Sequence, residues 1–140
     1  MRVIAFDPGK VTGYCIMQFH QHDDPEVVDF GEIEFEDLTD KYIRDIIDRC
    51  SQCVIEGAVL TGKINQDKVK QLRATERINF YWDSIMSYRN PVMWIQPESK
   101  KLAGEVPRHI KGQHAKDAYR ILDAWRKMED TNQVRRCEGE

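Results

Sequence analysis

No apolar run in the sequence approaches the ~20 residues that a membrane-spanning helix needs. Met1-Arg2 leads straight into strand-like residues, without the long apolar region of a signal peptide. A protein working in the cytoplasm, with no membrane partner, is therefore expected. Cysteine is scarce. Of the four present, Cys50 and Cys53 form a lone Cys-x-x-Cys, and Cys15, Cys137, His109 and His114 supply no second pair at zinc spacing. Structural zinc is not expected, and reduced, core-forming thiols are. Internal repeats and interdomain linkers are also missing, so the 140 residues read as one domain over 1–128, followed by a tail, 129–140, with almost nothing to bury and expected to be disordered.

Positive charge is not in excess either: 21 Lys and Arg against 24 Asp and Glu give a net charge of -3, which argues on its face against a nucleic-acid partner. The mean hides a segregation. Residues 23–48 hold eleven acids against Lys41 and Arg44, a local net of -9, so the remainder carries -3 minus -9, or +6. Such asymmetry suggests an acidic face turned to solvent and a basic face free to meet phosphates.

The stretch Arg2-Val-Ile-Ala-Phe-Asp7-Pro8-Gly9-Lys10-Val-Thr-Gly13-Tyr14 organises the rest. Apolar residues run into Asp7 and Pro8-Gly9 ends the run, so Asp7 sits at the C-terminal end of a buried strand, facing a turn that Gly9 and Gly13 keep thin for a ligand or nucleic-acid backbone. Tyr14 to Phe19 returns as a second strand, and Val27 to Phe35 alternates apolar with acidic residues as a third. Asp37 or Thr39 can cap a helix carrying Leu38, Tyr42, Ile43, Ile46, Ile47 and Cys50. Cys53-Val-Ile-Glu56-Gly57 is a short buried strand, parallel to the first because a helix makes the crossover. After a loop over 57–66, a long helix is expected from Gln66 to Tyr88, then a buried strand Val92 to Ile95, a short helix from Pro97 to Gly104, a polar loop, and a closing amphipathic helix from Gln113 to Met128. The order β-β-β-α-β-α-β-α makes an α/β fold with a mixed sheet, and sites in such sheets form outside the carboxyl ends of the strands.

Asp7 and Glu56 both end strands, and His114 and Asp117, three residues apart, share one face at the start of the last helix. Converging carboxylates repel one another unless cations sit among them, and hard oxygen ligands suit Mg²⁺ or Mn²⁺. Two such ions would activate a water on one side of a phosphodiester and stabilise the leaving oxygen on the other. Singly, each residue has a plainer account: Glu56 paired with a lysine, Asp117 favoured by the helix dipole, His114 exposed near a helix start.

Ile4-Ala-Phe-Asp7-Pro-Gly9 with Thr12-Gly13, then Val54-Ile-Glu56, then His114-Ala-Lys-Asp117-Ala together resemble the RuvC-type Holliday junction resolvases of the ribonuclease H-like superfamily, over nearly the whole chain. The short length and the Asn-Gln-containing loop resemble the phage members. The resemblance implies a ribonuclease H-like five-stranded mixed sheet, three antiparallel strands then two parallel, with helices on both faces. It also implies a homodimer with two metal ions per site and no nucleotide cofactor, nicking two strands of a branched DNA. Asp7, Glu56 and Asp117 then carry over as metal ligands, and His114 falls where the family has an acid or a histidine. One departure is that the loop after Glu56 offers Val59, Leu60 and Ile64 where bacterial relatives present an aromatic. Lys10, Lys63, Lys68, Lys70, Arg73, Lys100, Lys101, Arg108, Lys111 and Lys116 are candidate phosphate contacts. The rival readings are a YqgF-like RNA nuclease of the same fold and a non-catalytic junction-binding protein; the latter would be expected to lack part of the acidic set.

Overall fold

The computed structural model describes residues 1–57 and 64–138; Val59, Leu60 and Lys63 lie outside them. Strands β1 (Arg2–Asp7), β2 (Val11–Gln18) and β3 (Glu26–Glu34) precede helix α1 (Asp40–Ile47). Strand β4 (Gln52–Glu56), helix α2 (Gln66–Met86), strand β5 (Met93–Ile95) and helix α3 (Gln113–Glu138) complete the order, with 3₁₀ turns at Phe35–Asp37 and Pro97–Leu102. The five strands form one mixed sheet in the order β3-β2-β1-β4-β5. β2 pairs antiparallel with β1 and β3, whereas β4 is parallel to both β1 and β5. The α/β architecture, the strand count and the three-antiparallel-then-two-parallel pattern are those expected.

Period-two alternation sorts the central strands into two cores. Ile4, Phe6, Ile16, Cys53 and Ile55 pack on one face against Ile43 and Ile47 of α1 and Ala74, Ile78 and Trp82 of α2. Val3, Ala5, Cys15, Met17 and Val54 pack on the other against Ala118, Ile121, Leu122 and Trp125 of α3. Cys15, Cys50 and Cys53 are free and buried, and burial pushes the Cys50 thiol up to about 11. Thr39 caps α1, its side chain accepting from the Tyr42 amide at 3.3 Å. The Trp82 indole donates to the Asn90 carbonyl, and the Asn90 amide donates to the Ser51 carbonyl at 3.0 Å, which ties the end of α2 to the start of β4.

Four expectations are corrected. α2 stops at Met86, not Tyr88, because Ser87 and Tyr88 both adopt left-handed backbone (φ 50° and 61°). β5 is a short edge strand, and only Ile95 of its residues is buried, while Trp94 is 50% exposed. The segment from Pro97 makes a 3₁₀ turn that ends at Leu102, short of Gly104. α3 does not close at Met128 but runs on through Glu138, since residues 129–138 contain neither Gly nor Pro to stop it.

Candidate active site

Asp7 and Glu56 lie one position beyond the last register pair of β1 and β4, Phe6 with Ile55. Phe6 and Ile55 face α1 and α2, so alternation turns both carboxylates toward the α3 side of the sheet. Gly13 is the partner of Asp7 across the hairpin. A β-carbon on Gly13 would overlap the backbone carbonyl of His114 and stand 2.7 Å from the Ala115 amide nitrogen. The room this glycine leaves is therefore filled by the first turn of α3, not reserved for a ligand as its turn context suggests. Ala115 and Ala118, both fully buried, let the helix lie close to the sheet. That contact carries His114 and Asp117 to the strand ends: His114 Nδ1 stands 3.7 Å from Asp7 Oδ2, within ion-pair range but too long for a hydrogen bond.

The four expected residues thus meet at one end of the sheet, and two of them have partners there. Glu56 Oε2 takes the Lys100 ammonium at 2.9 Å, and Asp117 Oδ1 takes the Arg120 guanidinium at 2.7 Å, with the Gln113 amide at 3.3 Å. Among the described residues, no three His, Cys, Asp or Glu side chains stand as a finished metal cage.

The charges nevertheless act on one another. Burial first, and then the Asp117 carboxylate, push the Asp7 carboxyl up to about 6; Glu56 adds to the rise, while Lys100 and His114 oppose it. Burial also works against the charge on Lys100, but the hydrogen bond and attraction of Glu56, followed by Asp117 and Asp7, hold its ammonium above the usual lysine value. A half-buried site with more negative charge than its own lysine balances is one into which a further cation fits, and its carboxylate oxygens suit a hard divalent ion.

The candidate phosphate contacts divide by place. Arg108, Lys111 and Lys116 line one cavity of about 610 Å³ together with residues 104–107, Ile110 and Arg120, the partner of Asp117. Lys70 and Arg73 border a second, of about 700 Å³, at the start of α2, next to the first turn that holds Lys68. Lys70 also reaches Glu36 at 4.0 Å and lies over the Phe35 ring, so it answers part of the acidic segment directly. Lys10 and Lys101 are exposed. The acidic segment is not a purely solvated face either, because Glu32 reaches Gly112, where its carboxylate takes the space of a β-carbon.

Sequence reasoning missed two side chains. Arg120 is legible in retrospect as an i,i+3 partner of Asp117. Asp123 is almost fully buried, accepts from the Gly104 amide at 2.8 Å and pairs with Arg126 and Lys127, fastening the 3₁₀ turn that carries Lys100 to α3. Against the cost of burial, the Gly104 amide, Arg126 and Lys127 hold its carboxyl below the usual aspartate range.

No protein-family model matches the sequence, and no curated protein matches it. Among solved structures, RuvC of Thermus thermophilus superposes with a TM-score of 0.70 at 13% identity, covering 92% of this chain and 97% of that one. The fold is that of RuvC. T. thermophilus RuvC in complex with a Holliday junction substrate gives the same TM-score, 0.70, at 14% identity over 89% of this chain and 92% of that one. The RuvC architecture, ribonuclease H-like, accordingly extends over nearly the full length of both chains, and Asp7, Glu56 and the first turn of α3 stand at one end of its sheet.

Proposed function

We propose that this chain is a divalent-metal-dependent endonuclease that cleaves branched DNA, a junction-resolving enzyme working as a homodimer in the cytoplasm. The observation that carries the reading is the convergence of Asp7, Glu56, His114 and Asp117 at the carboxyl ends of β1 and β4, with Asp7 pushed up to about 6 by burial and its acidic neighbours. The RuvC fold around it supports the reading. Among the described residues no helix is long and apolar enough to cross a membrane, which is compatible with it.

Asp7, Glu56 and Asp117 would hold the ions, with His114 beside them. Bound Mg²⁺ or Mn²⁺ would supply Lewis-acid stabilisation of the phosphodiester, an acidified water and charge neutralisation at the leaving oxygen. The chain's own residues do the rest. The rigid end of the central sheet fixes Asp7 and Glu56, His114 is placed to orient or accept a proton from a water near Asp7, and Arg108, Lys111, Lys116 and Arg120 offer charge to the phosphates flanking the site. Symmetry-related nicks on two strands require two such sites related by a two-fold axis, and the exposed Phe80 of α2 and Trp94 of β5 are apolar surface available for an isologous contact.

Asp7→Asn, Glu56→Gln and Asp117→Asn should each abolish cleavage of a four-way junction while leaving junction binding largely intact, because they remove metal-holding charge and not phosphate contacts. Full cleavage by any two of them would remove the proposed site.

A further inference from the structure

Lys100 was expected to meet phosphate, yet its ammonium is turned inward. It sits 2.9 Å from Glu56 Oε2, on the 3₁₀ turn Pro97–Leu102. The Lys100 and Glu56 side chains are only 31% and 17% exposed, so solvent screens the pair incompletely. Lys100 also feels Asp117 and Asp7, so the three carboxylates are met by two positive charges, Arg120 on Asp117 and Lys100 on Glu56. A divalent ion taking Glu56 Oε2 would displace that hydrogen bond, and an ion on either Glu56 oxygen would share a partly dehydrated space with a like charge, which opposes co-occupancy. The lysine has a means of leaving. Its four-carbon stem is flexible and its turn follows the edge strand β5, while the far end of the segment stays anchored through the Gly104 amide on Asp123.

We propose that Lys100 is the internal counter-cation of the acidic site, competing with the divalent ion for Glu56 and released when the ion binds. In this role Lys100 is a positioning residue: without metal it keeps Glu56 in place and limits carboxylate repulsion, and with metal it yields its place. The proposal rests on the metal-site reading above.

Mn²⁺ binding to the full chain, followed by isothermal titration calorimetry at neutral pH without DNA, tests it. Lys100→Met should bind Mn²⁺ about tenfold more tightly than wild type, the size expected for losing a competitor whose pairing lies between the exposed and buried limits. Lys100→Gln, which keeps a hydrogen-bond donor for Glu56 but no charge, should gain less and guards against misfolding of the methionine variant. Lys41→Met, which removes a positive charge from the exposed face of α1, should match wild type. Equal or weaker Mn²⁺ binding by both Lys100 variants, with wild type binding the ion, would overturn the competition and leave the metal site standing. Absence of Mn²⁺ binding at millimolar concentration in every protein would overturn the metal site and the competition together.

Discussion

At the scale of single residues, the burial of the Asp7 carboxyl costs stability. Its carboxyl, raised from 3.8 to about 6, keeps in the folded state a proton that the unfolded chain gives up near pH 4. The folded protein therefore binds more protons than the unfolded chain across that window, so stability falls as pH rises from about 4 to about 6 and stays lower above it. Asp7→Asn should remove this penalty. In chelator the variant should be more stable than wild type by about 2 kcal/mol at neutral pH, and by little near pH 4, in paired denaturant titrations. Equal stability at both pH values would mean that Asp7 bears no such load. By the same logic, wild-type affinity for Mn²⁺ should weaken as pH drops through about 6 and protonates Asp7. His114 makes a separate claim: if it orients or deprotonates water beside Asp7, His114→Ala should lower the single-turnover cleavage rate roughly a hundredfold. His114→Asp, which restores an oxygen ligand, should keep a substantial part of it, and a wild-type rate in the alanine variant would return His114 to the role of an exposed residue near a helix start.

At the scale of elements, the site depends on how α3 meets the hairpin. Gly13 has to be glycine because the His114 carbonyl occupies the place of its side chain, so Gly13→Ala should push the first turn of α3 off the sheet. A loss of about 2–3 kcal/mol of stability is expected, with a fall in cleavage larger than junction binding shows. An unchanged melting temperature and activity would mean that α3 docks elsewhere. This dependence also marks what the sequence made legible. Strand ends at Asp7 and Glu56, and a helix start that carries His114 and Asp117, follow from local periodicity and spacing, and the structure has all three. The Lys100 pair with Glu56 joins residues 44 positions apart, and the Gly104 anchor on Asp123 spans 19; no local pattern encodes either. Trp94 misled for a related reason, since an apolar run reads as a buried strand whether or not a neighbour covers its outer edge.

At the scale of the whole molecule, a net charge of -3 coexists with basic cavities at Arg120, the partner of Asp117, and at the start of α2. Local distribution, more than the total, decides where a polyanion can bind. If the cavity lined by Arg108, Lys111 and Lys116 meets phosphates, replacing all three by alanine should flatten the dependence of log K on log salt for junction binding by about two to three units. Replacing Asp23, Asp24 and Glu26 by their amides should leave the slope alone. The opposite pattern would put the nucleic acid on the other face.

The central claim, a metal-dependent nuclease selective for branched DNA, meets its most direct test in one experiment. A labelled four-way DNA junction, a linear duplex of the same sequence and a structured RNA are each incubated with the protein in Mg²⁺ or Mn²⁺, with and without chelator. The account predicts paired nicks in the junction only, abolished by chelator and by Asp7→Asn. Cleavage of the RNA in preference to the junction, or an intact junction that the protein binds with either metal present, would contradict it.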